Sequence, residues 1–192
     1  MDIQHTLIEG IAIVRPRIFN DPRGYFLESW NHIRYAESGI DADFIQDNES
    51  KSRYGVLRGL HFQAPPYSQA KLVRVITGRV LDVVLDIRRD SPTFGKHHAI
   101  ELSGENKQQL YIPRGFAHGF AVLSDEVIFA YKCDNVYMPS HERGIAFDDP
   151  ALAIDWRLPA ADLILSDRDR THLRLSEIET FTAREFAAGL KP

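Results

Sequence analysis

The chain has 192 residues, of which 44% are hydrophobic and 26% are charged, and its formal net charge is −4. This length allows one domain with a substantial buried core, so residues 1–192 are expected to form a single domain. The slightly acidic balance gives no overall electrostatic reason to expect a nucleic acid or an anionic membrane surface as a partner.

Cysteine usage and hydropathy bear on location. The single cysteine, Cys133, excludes an intramolecular disulfide and is typical of a reducing compartment. The N-terminal residues lack the basic and then apolar pattern of a signal peptide, and no segment approaches the roughly 18 apolar residues that span a bilayer. A soluble cytoplasmic protein with no membrane partner is therefore expected.

Short segments rich in β-branched and aromatic residues recur along the chain and predict an antiparallel β-sandwich or barrel. The clearest period-two alternation runs through residues 81–87, where apolar side chains share one face and Asp82 and Asp86 lie on the other. The predicted strands are Ile11–Val14, Gly24–Trp30, Ala42–Lys51, Val56–Gln63, Lys71–Ile76, Arg79–Ile87, His97–Leu102, Gln109–Ile112, Ala117–Ser124 and Val127–Cys133.

Two short helices are predicted at the periphery. The first spans Asn31–Ser38, with Asn31 as its N-cap and Gly39 as its end, and the second spans Thr182–Leu190, after Thr180. Since the chain has no internal repeat and no Gly/Ser linker, no domain boundary is predicted.

Two of these strands carry closely spaced cationic and imidazole side chains. Arg58 and His61 lie in the segment 56–63, and Lys71 begins the next strand. A regular strand would send Arg58 and His61 to opposite faces, because they are three residues apart. A bulge at Gly59 would re-aim one of them, so their convergence depends on that bulge.

A second segment contains the turn Pro113-x-Gly115-x-x-His118, a pattern seen in cupin barrels. Cupins usually bind a metal ion through an H-x-H pair with a carboxylate and the histidine of this second turn. Here Gln63 stands two residues after His61, and no glutamate follows at the expected spacing. We therefore expect no metal ion, which leaves His61 free to act as a base.

Five blocks in the same order resemble the signature blocks of the dTDP-4-dehydrorhamnose 3,5-epimerase family, and the similarity runs from about residue 11 to about residue 170. The resemblance implies a cupin-type double-stranded β-helix (jelly roll) with no cofactor. It also implies a homodimer in which N-terminal strands cross between subunits. The blocks are Arg58–Gln63, Lys71–Val75, Asp86–Gly95, Leu102–Phe120 and Asp148–Trp156.

The family reaction removes the acidic protons at C5 and C3, next to the C4 ketone of a dTDP-linked 4-keto-6-deoxy sugar, and returns them on the opposite face. A neutral imidazole, with an unperturbed pKa of about 6.5, suits the abstraction of such a proton. By resemblance, His61 is the base and Asp169 is its carboxylate partner. Tyr131 is the proton donor and Lys71 is the cation near the ketone.

The resemblance also implies the residues that bind the substrate. Arg23 and Arg58 match residues that hold the diphosphate, for which forked guanidinium donors are well suited. Tyr137 matches the aromatic residue that stacks on thymine, with Phe26 nearby. The other matches are Glu28, Gln46, Asp47, Asn48, His118, Glu142 and Arg168.

Several alternatives share parts of this pattern. A C3-only or C5-only epimerase would keep the same catalytic set, and a sugar-nucleotide 3,4-ketoisomerase would use the same barrel. A non-catalytic nucleotide-sugar-binding cupin would be expected to lose the base or the acid. A metal-dependent cupin oxygenase is disfavoured by Gln63. Residue spacing leaves the regiochemistry and the preferred nucleotide base open.

Overall fold

The computed structural model describes residues 1–188, which form thirteen β-strands and two short α-helices. Strands β1 to β13 are, in chain order, Asp2–His5, Ala12–Arg15, Ile18–Asp21, Gly24–Leu27, Gln46–Arg53, Leu57–Gln63, Lys71–Thr77, Arg79–Asp86, His97–Ser103, Gln109–Ile112, Phe116–Val122, Glu126–Cys133 and Glu142–Gly144. Helix α1 is His32–Glu37 and helix α2 is Ala183–Ala187.

The strands build two antiparallel sheets that pack face to face. One sheet has six strands in the order β1-β2-β10-β7-β12-β5, and the other has five in the order β13-β6-β11-β8-β9. Strands β3 and β4 form a separate hairpin. The prediction of an all-β jelly roll with short peripheral helices is confirmed.

Two apolar cores cover the two faces of the five-stranded sheet. Between the sheets, Val84 and Phe120 pack with Val73 and Phe129, and the rings of Phe120 and Phe129 stack with their centroids 4.3 Å apart. On the outer face, Leu85 and its neighbours pack against the C-terminal part of the chain, including Trp156 and Phe186. This outer core places the segment that follows residue 164 beside a cleft that opens between the two sheets.

Strand β8 is buried on both faces, so the face that carries its two aspartates does not face solvent. Asp82 and Asp86 are both fully buried. Burial opposes ionisation of Asp86, but hydrogen bonds from Arg88, Ser91 and Thr93 outweigh it and hold the pKa of this carboxyl below its usual range. Asp82 is paired through one oxygen, with His118, so each buried carboxylate on this strand has at least one hydrogen-bond partner.

The ten predicted strands are all present, with shifts at their ends. β4 ends at Leu27 rather than Trp30, and β5 begins at Gln46 rather than Ala42. Strands β1, β3 and β13 were not predicted. β1 is polar and mostly exposed, β3 is wholly exposed, and β13 has only three residues, so none carries a period-two apolar pattern.

Both predicted helices exist, with shifts at their ends. The side chain of Asn31 accepts a hydrogen bond from the Arg34 N–H at 3.2 Å, which confirms it as the cap of α1. Helix α2 begins at Ala183 rather than Thr182, because Thr182 is its N-cap and the Thr182 hydroxyl accepts from the Glu185 N–H. Residues 189 and 190 of that predicted helix lie outside the described residues. Within residues 1–188, neither helix has the length and hydropathy needed to cross a bilayer.

The bulge predicted at Gly59 is present. His118 pairs with His61 and Phe120 pairs with Arg58, so two steps along β11 lie opposite three steps along β6. Gly59 has a φ of 124°, and a Cβ built on it would lie 2.5 Å from the Gly119 Cα. The close approach of β6 and β11 therefore requires glycine, and Arg58 and His61 line one cleft as a result.

A pair of glycine variants tests this close approach. Gly59→Ala should lower the free energy of unfolding by at least about 3 kcal/mol, because a clash adds to backbone strain. Gly39→Ala is the matched control, since Gly39 also has a positive φ, of 89°, with no atom within 4 Å of a built Cβ. It should cost only the strain, about 1–2 kcal/mol. Urea unfolding would measure both, and equal losses would contradict the close-approach argument.

Candidate active site

A cleft of about 710 Å³ opens between the two sheets, lined by strands β5, β6, β7, β11 and β12 and by residues 164–169. It brings together all four predicted catalytic residues and seven of the predicted substrate-binding residues. They are His61, Tyr131, Asp169 and Lys71, with Gln46, Asn48, Arg58, His118, Tyr137, Glu142 and Arg168.

His61 and Asp169 form a hydrogen-bonded pair across the cleft wall. The His61 Nε2 atom lies 2.5 Å from Asp169 Oδ1, and the Ser166 hydroxyl donates to Asp169 Oδ2 at 2.7 Å. Burial opposes ionisation of Asp169, but the hydrogen bonds from His61 and Ser166 outweigh it and lower the pKa of this carboxyl. Asp169 is therefore an ionised acceptor at neutral pH.

This pairing fixes which ring nitrogen of His61 carries the hydrogen in the neutral ring. An ionised carboxylate has no proton to donate, so Nε2 of the neutral imidazole carries the hydrogen. The lone pair is then on Nδ1, which has no hydrogen-bond partner among residues 1–188. The side chain of His61 is 28% exposed, so substrate can approach it.

A second imidazole lies behind this pair. His172 Nε2 is 3.4 Å from Asp169 Oδ1, and the rings of His61 and His172 meet edge to face at 5.5 Å. Burial lowers the pKa of His172. A side chain at Gly144 would collide with the His172 ring, so that glycine makes room for it.

His61, Asp169 and His172 are the described residues that could hold a metal ion. Their ligand atoms lie within 4.8 Å of one another, and two imidazoles with a carboxylate suit transition metals. However, two ligands of one tetrahedral zinc ion lie about 3.3 Å apart at the usual bond lengths. The 2.5 Å between His61 Nε2 and Asp169 Oδ1 fits a hydrogen bond instead. The absence of a metal ion stays a prediction.

Tyr131 and Lys71 lie on the six-stranded sheet, which forms the wall opposite His61. Tyr131 is on β12, and Lys71 at the start of β7 has its Nζ atom 5.9 Å from the centre of the Tyr131 ring. Burial raises the pKa of Tyr131, so its phenol stays protonated at neutral pH. The cleft therefore has a neutral acid on one wall and an imidazole on the other.

Two cations in the cleft lack a carboxylate partner within residues 1–188. Arg58 donates from Nε and Nη2 to the Ser52 hydroxyl, at 3.2 and 3.1 Å, and Lys71 lies beside the Tyr131 ring. Because the hydroxyl of Ser52 is neutral, it orients the guanidinium without neutralising it. The cleft thus carries positive charge in a protein whose net charge is −4.

A hydrogen-bonded group forms one rim of the cleft. The Tyr137 hydroxyl donates to Glu142 Oε2 at 2.5 Å, and Arg168 pairs with the same oxygen at 2.7 Å. Burial opposes ionisation of Glu142, but these two partners hold its pKa below the usual range. The Tyr137 N–H donates to Gln46 Oε1, and Gln46 donates to Asn48. Half-exposed Tyr137 is therefore held in place at the rim of the cleft by its hydroxyl and by its backbone N–H.

His118, on β11, lies beside His61 of β6 and is paired with a different carboxylate. His118 Nε2 is 2.9 Å from Asp82 Oδ2, and both side chains are buried. This is the second strand histidine that the sequence pattern singled out. It contributes to the cleft wall next to the His61–Asp169 pair.

Four predicted substrate-binding residues do not line the cleft of the same chain. Arg23 and Phe26 lie on the β3–β4 hairpin, where the Arg23 side chain is 90% exposed and pairs with Asp21. Glu28 pairs with Arg34, and Asp47 pairs with Lys132 on the other side of the sheet from the cleft. One chain by itself therefore leaves these four apart from His61.

Sequence reasoning assigned no role to three residues that shape the site: Ser166, His172 and Gln63. Ser166 and Asp169 show the S-x-x-D spacing of a local side-chain to backbone motif, and the Asp169 N–H does donate to Ser166 Oγ. That spacing could have identified Ser166. His172 had no comparable signal, because its position depends on β13 and Gly144.

Known enzymes are similar to this chain over most of its length. Residues 5–177 match the family model of dTDP-4-dehydrorhamnose 3,5-epimerase. The enzyme of that name from Shigella flexneri is 51% identical over 170 residues, which cover 88% of this chain and 93% of the relative.

Solved structures are similar over nearly the whole chain. A dTDP-6-deoxy-D-glucose-3,5-epimerase from Legionella pneumophila, in complex with dTDP-4-keto-L-rhamnose, is 49% identical with a TM-score of 0.90, and the match covers 93% of this chain and 94% of that one. A 3'-monoepimerase from Streptomyces bikiniensis, in complex with dTDP-quinovose, is 31% identical with a TM-score of 0.82, covering 95% and 90%. The chain therefore has the cupin-type fold and belongs to the dTDP-4-dehydrorhamnose 3,5-epimerase family.

Proposed function

We propose that this protein is an isomerase that epimerises dTDP-4-dehydro-6-deoxy-D-glucose at C3 and C5, yielding dTDP-4-dehydro-L-rhamnose for dTDP-rhamnose biosynthesis. The observation that carries the proposal is that His61 and Tyr131 come from opposite sheets and line one cleft. Inversion at carbon needs a proton removed on one face and a proton delivered on the other. A base and a neutral acid on facing walls meet that requirement.

The His61–Asp169 pair is suited to the first half of the reaction. His61 Nδ1 takes the proton from the carbon next to the ketone, and the ionised carboxylate of Asp169 stabilises the imidazolium that forms. Lys71 supplies a fixed positive charge for the enolate oxygen as it develops.

Tyr131 completes the inversion. Its phenol donates a proton to the opposite face of the enolate carbon and becomes a phenolate near Lys71. His61 then loses its proton to solvent and Tyr131 regains one, which restores the site for the second carbon. Since the returned proton comes from solvent by way of Tyr131, each inverted carbon acquires a solvent proton.

The rest of the site is suited to a nucleoside diphosphate. Arg58 offers forked donors to the diphosphate, and Tyr137 offers a ring face for stacking of the thymine. In the proposal, Gln46, Asn48, His118, Glu142 and Arg168 also contact the nucleotide sugar.

A homodimer and one epimerase domain over residues 1–192 are part of the proposal. The β3–β4 hairpin exposes three large aromatic side chains, with Phe19 at 48%, Tyr25 at 56% and Phe26 at 67%. An exposed apolar cluster of this kind favours burial against a second copy. The hairpin of the partner would then bring Arg23 and Phe26 to the cleft, with Glu28 and Asp47 close to the interface. The single buried Cys133 is in keeping with a cytoplasmic location.

Deuterium exchange tests the proposed reaction. When the protein acts on dTDP-4-dehydro-6-deoxy-D-glucose in deuterated water, proton NMR should show deuterium at both C3 and C5. His61→Asn should slow exchange at both carbons by about 10²- to 10⁴-fold, because it removes the base. Tyr131→Phe should still exchange protons but yield little inverted product, because only the acid is lost.

The outcomes separate the alternatives. Label at one carbon alone would identify a C3-only or C5-only epimerase, and no exchange at either carbon would refute the proposed reaction for this substrate. An unchanged rate after treatment with a chelator is expected, and loss of activity on chelation would contradict the metal-independent mechanism.

Subunit complementation tests the proposed dimer. His61→Ala and Arg23→Ala proteins should each be nearly inactive, but co-expression should form mixed dimers with one site that contains neither substitution. With random assembly, about a quarter of the sites are then intact. Activity near that fraction supports shared sites, whereas mixed dimers without any recovery would show that Arg23 and His61 act within one chain.

A further inference from the structure

Gln63 is the buried polar residue of the cleft whose role the mechanism leaves unexplained. It ends β6, two residues after His61, and it is only 5% exposed. A buried carboxamide is costly unless its donors and acceptor are paired. The hydrogen-bond partners of Gln63 therefore indicate its role.

All three contacts of the Gln63 carboxamide go to the backbone of the cleft rim. Nε2 donates to the Val136 carbonyl at 3.1 Å and to the Tyr67 carbonyl at 2.6 Å. Oε1 accepts from the Met138 N–H at 2.6 Å. Both amide hydrogens are thus used, and the side chain is not available to a ligand in the cleft.

Two of these contacts flank Tyr137. Gln63 forms hydrogen bonds with the Val136 carbonyl and the Met138 N–H, which belong to the two chain neighbours of Tyr137. The backbone on both sides of Tyr137 is therefore fixed to the end of β6. The third contact joins the same carboxamide to the 64–70 loop. The Tyr137 hydroxyl is held separately by Glu142, which lies opposite Gln63 in the β6–β13 pairing.

We propose that Gln63 is a positioning residue for nucleotide recognition, which sets the place of the Tyr137 ring in the cleft. This inference rests on the proposed function, in which Tyr137 stacks on the nucleotide base. Gln63 acts through the backbone of Val136 and Met138 and touches neither the base nor the reacting carbon. Its loss should weaken binding of the base while the chemistry at the sugar remains intact.

Binding of two probes separates this role from a general structural one. Gln63→Met keeps the volume and removes all three hydrogen bonds, so calorimetry should show dTDP binding weakened about tenfold or more, the size expected for loss of one stacked base. Inorganic pyrophosphate, which has no base, should bind within about twofold of the unmodified protein. With the full substrate, KM should rise while kcat stays within about twofold.

Gln69→Met is the matched control. Gln69 lies in the 64–70 loop that Gln63 contacts, and it donates one hydrogen bond to the Asn135 carbonyl at 2.8 Å. Its hydrogen bond does not go to either neighbour of Tyr137. Its dTDP affinity should change less than about threefold. Gln63→Asn, whose shorter carboxamide cannot span the same three partners, serves as the milder second variant if Gln63→Met does not fold.

A double-mutant cycle supplies the decisive comparison. In a Tyr137→Ala background, a change at Gln63 should have no further effect on dTDP affinity, because the ring that it positions is gone. An additive loss, an equal loss of pyrophosphate binding, or unchanged dTDP binding in a folded Gln63 variant would overturn the inference. If Tyr137→Ala itself leaves dTDP affinity unchanged, the proposed stacking role fails and the inference fails with it.

Discussion

The hydrogen bond between His61 and Asp169 is the interaction on which the site depends. It joins β6 to a segment that follows 108 residues later in the chain, so it exists only when the outer core has folded against the five-stranded sheet. Ser166 holds the other carboxylate oxygen, and His172 packs behind the pair. The carboxylate then determines which nitrogen of the neutral His61 ring carries the hydrogen and which has the lone pair.

The six-stranded sheet supplies the side chains that lie opposite the His61–Asp169 pair in the cleft. Sheet geometry alternates side chains between faces, so Tyr131 on β12 and Lys71 on β7 reach the cleft from the six-stranded sheet. On β6 the regular alternation would separate Arg58 from His61, and the bulge at Gly59 brings both to the cleft. One glycine therefore links the local backbone to the proposed chemistry.

Much of the barrel could be predicted because its strands alternate in hydrophobicity or carry β-branched runs, as β7 and β8 do. The exceptions have physical reasons: β3 is wholly exposed, and β13 is three residues long and exists through its pairing with β6. Residues alone also pointed to Arg58, His61, Lys71 and His118. Asp169, Tyr131 and Tyr137 were reached through the family resemblance, since their setting depends on distant segments. From the sequence, Gln63 was interpreted only as the residue that stands in place of a metal-binding histidine. Its positioning contacts could not be predicted, because its three backbone partners come from two loops.

Asp169 holds the neutral ring of His61 with its hydrogen on Nε2 and its lone pair on Nδ1. Nitrogen-15 NMR of histidine-labelled protein tests this assignment, because it distinguishes the two ring nitrogens. His61→Asn identifies the signal by its disappearance. This tautomer assignment predicts a protonated Nε2 and an unprotonated Nδ1 in the neutral ring, with loss of that preference in Asp169→Asn. A neutral ring with its hydrogen on Nδ1, or one that does not respond to Asp169→Asn, would contradict it.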